Sequence, residues 1–212
     1  MSDHFDLVLG TANAAKAREL RELLAPHGFR VQTLADLPDF VDVVEDGETF
    51  ADNARLKAVQ QALHLGAWVM ADDSGIEVAA LAGRPGVYSA RYAGPDATDA
   101  DNNAKLLAEL GDLPSEKRAA RYVCHVTLAD PQGQVRAEAN GECRGRIRTA
   151  PVGSNGFGYD PLFEVVEYHR TFGELGSAVK AALSHRGRAV RAIAPQLIAL
   201  AERGQWLAAA PR

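Results

Sequence analysis

Three carboxylates set the chemistry this chain can offer: Glu45 and the adjacent pair Asp72 and Asp73. Oxygen ligands of this kind suit Mg2+, which takes one or two carboxylates and completes its shell with substrate phosphates. Neighbouring carboxylates repel, so a cation must offset them; a metal ion, Lys16 or Lys57 would serve. The plainer readings are a turn at Asp73-Ser74-Gly75 and a solvated loop around Glu45. A second candidate is the turn Thr11-Ala12-Asn13-Ala14-Ala15-Lys16. Amides at a helix start attract phosphate, Thr11 and Asn13 add donors, and Lys16 would neutralise one charge. No G-x-x-x-x-G-K-[ST] loop occurs in the chain. The plainer reading here is an N-capped helix with an exposed Lys16.

Two later segments add complementary chemistry. Gly153 to Pro161 combines flexible backbone with Phe157, Gly158, Tyr159 and Asp160, and an aromatic face there could stack on a base. Its plainer reading is a Gly-rich turn with packed aromatics. Gly176 to Arg191 holds Lys180, Arg186, Arg188 and Arg191, no acid, and His185 beside them. Lys and Arg bind phosphate, and His or Arg can donate to a purine O6. Arg188 and Arg191 read as solvated charges at a helix start. The other histidines, His4, His27, His64, His125 and His169, show no metal-ligand spacing.

The elements that must position these groups follow from periodicity and punctuation. Phe5 to Leu9 reads as a strand, Ala14 to His27 as a helix with Leu20, Leu23 and Leu24 on one face, and Gly28 as its stop. Phe29 to Leu34 is a second strand. Thr49 and Asp52 form a capping box opening a helix with Leu56, Val59 and Leu63 at helical spacing, closed by Gly66. Trp68 to Ala71 reads as a buried strand that delivers Asp72 and Asp73 at its end, a common place for active-site groups in α/β folds. Thr98 and Asp101 repeat the capping box before a helix ending near Gly111. Tyr122, Cys124, Val126 and Leu128 alternate along a strand, Asp130 to Gly133 turns, and a partner strand starts at Val135. A last helix opens at Ser184-His185-Arg186, carries Val190, Ile193, Leu197 and Leu200 as a stripe, and should kink at Pro195. The sum is an α/β protein with a mixed sheet.

Composition narrows the function classes. The chain has 212 residues, 47% apolar and 24% charged, as a folded protein of one large domain or two small lobes would. With 23 Lys and Arg against 28 Asp and Glu, the net charge of −5 argues against a general nucleic-acid binder. The charge is segregated, with seven acids and no Lys or Arg from Asp36 to Asp52. The opening residues do not read as a signal peptide, and no run approaches the ~20 apolar residues of a membrane span. Cys124 and Cys143 read as two small, partly buried thiols in a reducing cytoplasm.

Taken in order, these segments resemble the inosine/xanthosine triphosphate pyrophosphatase family. The matching pieces are Thr11-x-Asn13-x-x-Lys16, Glu45-x-Gly47-x-Thr49-Phe50 with Asn53-Ala54 and Lys57-Ala58, and Ala71-Asp72-Asp73-Ser74-Gly75. Gly86-Val87-Tyr88-Ser89-Ala90-Arg91-Tyr92, Phe157-Gly158-Tyr159-Asp160-Pro161 and Ser184-His185-Arg186 complete the set, so the match spans about residues 5 to 200. The resemblance implies a single ITPase-like α/β domain over 1–212, with an elongated mixed central sheet, flanking helices and two lobes around an active-site cleft. It implies a cytoplasmic homodimer that uses Mg2+ and acts on a purine nucleoside triphosphate, without nucleic-acid or membrane partners. Carried over by position, Asp73 is general base and metal ligand, and Glu45 and Asp72 help hold Mg2+. Thr11, Ala12, Asn13, Ala14, Ala15, Lys16, Lys57, Ser74, Phe157, Gly158, Tyr159, Asp160, Lys180, His185 and Arg186 bind substrate. Where the family carries an acid before its lysine, this chain has Val179, so a neighbour that would orient Lys180 is missing. Two other readings stay open on the residues alone: a nucleotide sensor without turnover, and the same fold acting on a modified pyrimidine triphosphate.

Overall fold

The computed structural model describes residues 5–206; His4 and most of the opening stretch lie outside them. In chain order the elements are β1 (Phe5–Leu9), α1 (Ala14–Leu24), β2 (Phe29–Thr33), α2 (Phe50–Leu65), β3 (Val69–Val78) and α3 (Asp99–Leu110). Then come β4 (Ala119–Ala129), β5 (Val135–Ile147), β6 (Phe163–Val165), β7 (Arg170–Thr171), α4 (Ser177–Leu183) and α5 (His185–Glu202). One seven-stranded sheet runs in the order β2-β1-β3-β4-β5-β6-β7. β1 pairs parallel with β2 and β3, while β6 pairs antiparallel with β5 and β7, so the sheet is mixed, as expected. No helix among the described residues is long and apolar enough to cross a membrane.

The chain forms two compact units. The first takes the residues up to Asp73, Cys124–Gly141 and those from Arg188 on; the second takes Ser74–Val123 and Glu142–Gly187. Each has its own core. In the first unit the strands are apolar on both faces, as parallel strands between helices are. Leu7, Leu9 and Met70 join Leu20 and Leu24 of α1 and Val190, Ile193 and Leu197 of α5 on one face. Val8, Val69 and Ala71 join Ala58 and Ala62 of α2 on the other. The second unit packs Ile76, Val78, Tyr122, Phe163 and Phe172 against Leu106 and Leu110 of α3.

Several local expectations hold. Both capping boxes close, at Thr49 with Asp52 and at Thr98 with Asp101. Gly66 adopts left-handed geometry where α2 stops, and Gly28 does so after the short turn that follows α1. The first helix tightens to 3-10 geometry over Ala25–His27, at Pro26, instead of continuing as α-helix. Pro195 lies inside α5, which continues to Glu202. Both cysteines are buried, and they form no disulfide.

Two expectations are corrected. The acids do not end a strand: β3 continues through Asp72, Asp73, Ser74 and Gly75 to Val78. Strand alternation therefore sends Asp72 and Asp73 to opposite faces. The stripe Leu56, Val59 and Leu63 is not the buried side of α2; Leu63 is 51% exposed. The inward face is Asn53, Ala54, Lys57, Ala58, Gln61 and Ala62. Alanine lets the helix lie close to the sheet, and the buried polar groups are tolerated because each finds partners there.

An ion pair fastens α2 from outside. Arg55 donates to both carboxylate oxygens of Glu138 in β5, at 2.6 and 2.7 Å. These bonds, helped by Thr127 and His125 against the opposing effect of burial, hold Glu138 down at about 2, below its ordinary 4.5. A carboxylate depressed on folding stabilises the fold above its ordinary value and loses that contribution as pH falls through the folded one. Glu138→Gln should lower stability at pH 7 by about 1 kcal/mol, allowing for solvent screening. Melting curves should show the gap shrinking by more than half between pH 5 and pH 3; a pH-independent gap would remove this pair from the account.

Candidate active site

In the first unit, β3 delivers Asp73 to the face covered by α2. Lys57 Nζ donates to Asp73 Oδ1 and to Glu45 Oε2, both at 3.0 Å. Asn53 Nδ2 donates to Asp73 Oδ2 at 3.3 Å. Asp73 and Lys57 are buried, while a third of the Glu45 side chain faces solvent. Burial raises the Asp73 pKa above its ordinary value, with Glu45 adding to it and Lys57 and Lys16 only partly opposing. Burial also acts on Glu45, but there Lys57 and Lys16 prevail and its pKa falls. For Lys57 burial works against the charge, and Asp73, Asp72 and Glu45 outweigh it, so the ammonium is held. One carboxylate poised to take a proton beside one that stays ionised is how a pair of acids divides general-base and charge-holding roles.

The oxygen donors Glu45 and Asp73, brought to one ammonium, fit a hard cation that takes few protein ligands and fills its shell with phosphate oxygens. Among the described residues no three His, Cys, Asp or Glu side chains assemble a complete cage. Asp72 stands apart from this pair. It is fully buried on the opposite face of β3, with Lys16 Nζ at 3.7 Å and Cys124 Sγ at 3.9 Å from its Oδ2. Alternation turns the two neighbouring carboxyls to opposite faces, while Lys57 still feels the charge of Asp72 and Lys16 that of Asp73.

The turn before α1 is more self-contained than its sequence suggests. Asn13 Oδ1 accepts from the amides of Ala15 and Lys16, both at 3.0 Å, and the Asn13 amide donates to Thr11 Oγ1 at 3.2 Å. The N-cap is therefore occupied by the chain itself, and the Asn13 amide nitrogen is the side-chain donor left to present to an anion. Ala12 and Ala14 are exposed at its rim. Lys16 is not exposed; it bends to Asp72.

In the second unit, Asp160 organises a group of aromatics and cations. Its Oδ2 accepts from the Phe157 amide at 2.8 Å and from Lys180 Nζ, and Tyr122 Oη donates to Oδ1 at 3.4 Å. Lys180 is thereby oriented by Asp160 and not by position 179, where Val179 faces outward. Lys180 Nζ lies 4.8 Å from the Phe157 ring centre and Arg186 Cζ 5.7 Å from it. Arg186 is also buried and donates to Ser74 Oγ at 2.8 Å. The His185 ring stacks on Tyr122 at 4.5 Å and 6°. Gly158 is gripped from α3: its amide donates to Asp99 Oδ2 at 2.7 Å, and its carbonyl accepts from Asn103 Nδ2 at 2.9 Å. Tyr159 faces inward, its hydroxyl donating to the Ser89 carbonyl at 2.8 Å.

Sequence reasoning thus missed Gln61, Asp99, Asn103 and Tyr122 as supporting residues, and gave Asn53 no role. The signals were present as polar residues at helical spacing, Asn53-Lys57-Gln61 in α2 and Asp99-Asn103 at the start of α3.

Fold and residue groups together define a class: a mixed-sheet α/β protein with a buried acid–lysine centre and a separate aromatic–cation group held on an aspartate. Within that class, the chain belongs to the Ham1 family, whose model matches residues 7–196. It is 55% identical over 202 residues to a dITP/XTP pyrophosphatase of Rhodopirellula baltica, covering 95% of this chain and 97% of that one. A dITP/XTP pyrophosphatase of Desulforamulus reducens is 50% identical, with 87% and 92% covered. Among solved structures, a HAM1 protein from Coxiella burnetii superposes with a TM-score of 0.82 at 37% identity, covering 91% of this chain and 98% of that one. A nucleoside-triphosphatase described as a dITP/XTP pyrophosphatase from Mycobacterium abscessus gives 0.71 at 41% identity, with 91% and 99% covered.

Proposed function

We propose that this chain hydrolyses noncanonical purine nucleoside triphosphates (ITP, dITP and XTP) to the monophosphate and pyrophosphate, and so clears them from the nucleotide pool. The observation that carries the reading is Asp73, buried and held between Lys57 and Asn53, with Glu45 on the same lysine. Water attacks the α-phosphorus, Asp73 takes its proton at a carboxylate oxygen, and the bond to the bridging oxygen of the β-phosphate breaks as pyrophosphate leaves. Lys57 and Lys16 offset charge on the phosphate oxygens, and Asn13 offers its amide to them. Glu45 and Asp73 would hold Mg2+, which when bound neutralises phosphate charge. Base recognition falls to Phe157 as a stacking face and to His185 and Arg186 as donors toward O6. Adenine presents a donor at that position, so buried donors reject it. Metal dependence, a homodimeric state and a cytoplasmic location belong to the same reading, through the family resemblance.

The test is pyrophosphate release with Mg2+ from ITP, dITP, XTP, GTP, ATP and dUTP. Turnover led by the inosine and xanthosine substrates is expected. Intact triphosphate recovered from a saturable complex would make the protein a sensor, and turnover led by dUTP would move the substrate to a pyrimidine.

Gly156 offers a sharper check on the base-recognition group. It has φ +78°, and a Cβ there would strike the Asp160 carboxyl and come within 3.1 Å of Lys180 Nζ. Gly156→Ala should raise KM for ITP about tenfold or more and lower stability by about 1–3 kcal/mol. Steady-state kinetics with an unchanged KM would remove Asp160 and Lys180 from substrate binding.

A further inference from the structure

Residues 39–47 form neither helix nor strand, yet they run as an extended strap along α2. Val41, Val43, Glu45 and Gly47 are half-buried while the residues between them are exposed, the period of an extended chain with one face against a neighbour. Side chains of α2 meet that face at helical spacing, in antiparallel order. Asn53 Oδ1 accepts from the Gly47 amide at 2.8 Å. Lys57 reaches Glu45 at 3.0 Å, and His64 Nε2 lies 3.0 Å from Asp39 Oδ2. Between them, Gln61 is 2% exposed and makes a two-point bond to one residue: Nε2 donates to the Val41 carbonyl at 2.6 Å, and Oε1 accepts from the Val41 amide at 3.2 Å. A side-chain amide carries both a donor and an acceptor, as this pairing needs; a carboxylate or thioether does not. At the other end the fit is close, since a Cβ on Gly47 would lie 2.7 Å from Asn53 Oδ1.

We propose that Gln61 is a positioning residue for the reaction: its bond to Val41 registers the strap on α2 and thereby sets Glu45 against Lys57 and Asp73. The placement of Glu45 is then fixed from both sides, by Asn53 at Gly47 and by Gln61 at Val41. The consequence for activity rests on the proposed role of Glu45 toward Mg2+; the strap itself does not.

The experiment compares the full-length protein with Gln61→Met, close in volume but unable to pair, and with Gln61→Glu. The latter keeps the acceptor for the Val41 amide and sets a carboxylate against its carbonyl. Amide hydrogen exchange at Val41 should speed about 10- to 100-fold in Gln61→Met and less in Gln61→Glu, which keeps the acceptor, and in both variants should also rise at Gly47, past Glu45. The Mg2+ concentration for half-maximal rate should rise about tenfold, with kcat at saturating Mg2+ within about threefold of wild type. Faster exchange confined to Val41 overturns the registering role. Faster exchange through Gly47 with an unchanged Mg2+ requirement overturns the link to Glu45. A wild-type rate indifferent to Mg2+ overturns the metal reading alone, and exchange at Gly47 still decides for or against the strap.

Discussion

Asp73→Asn should lower kcat for ITP by about 10³-fold while KM moves only a few-fold. The substitution preserves shape and removes the carboxylate proposed to take the proton. Asp73 sits where burial lifts its proton affinity, with Glu45 adding to the rise. An amide at that position has no comparable affinity for a proton. The replacement also meets two fixed donors, Lys57 Nζ and Asn53 Nδ2, and can accept well from only one of them. Asn53 does not turn over freely, because its oxygen holds the Gly47 amide. Some loss of thermal stability therefore accompanies the kinetic loss. Circular dichroism separates the two, and a folded variant with near-normal kcat would remove Asp73 from the role of base.

Lys57→Met should be the more damaging change to the molecule as a whole. Lys57 is the shared cation of Glu45 and Asp73. Removing one partner of a buried ion pair leaves charge uncompensated, which costs about 3–5 kcal/mol. At this chain length that is a fall of about 10 °C in Tm. Turnover should drop at least 100-fold if the proposed roles hold, because Glu45 and Asp73 lose both orientation and charge balance. The penalty has a definite pH sign. Without the ammonium, both carboxylates are harder to ionise when folded than when unfolded. The loss is therefore greatest at neutral pH and shrinks as pH falls through the raised folded values. Added Mg2+ should raise the Tm of the variant more than that of wild type. Melting curves insensitive to both pH and Mg2+ would show that Lys57 does not hold these charges together.

What was legible in the sequence was local. Capping boxes, terminating glycines, alternation in β4 and the acid–lysine partners all depend on residues a few positions apart, or on charge that must be balanced somewhere. The lysine at 57 could be named as an offsetting cation for that reason. The divergence of Asp72 and Asp73 was not legible, because it required β3 to run on through Ser74 and Gly75, a tetrad that also reads as a turn. Nor was the orientation of Lys180, whose partner Asp160 lies twenty residues earlier and whose immediate neighbour Val179 carries no charge. The stack of His185 on Tyr122 joins residues that sequence reading placed in unrelated roles, one as a base donor and one as an apolar strand position. In each case the missing information was a long-range partner, and no propensity encodes that.

The inverted face of α2 has a practical consequence for anyone altering this protein. A stability-optimising redesign guided by hydropathy would keep Leu56, Val59 and Leu63 and replace Asn53, Lys57 and Gln61 with leucine or alanine. By pattern the helix would be improved. The product would keep His64 to Asp39 but lose the other tethers to the acidic segment before it, set the Asp73 carboxylate against an apolar wall, and give up stability together with turnover. The reverse choice, polar substitution at Leu63, touches a largely exposed position and is the one such a procedure would avoid. Consensus and language-based engineering that scores residues one at a time will meet the same inversion here unless the segment 39–47 and α2 are varied as one unit.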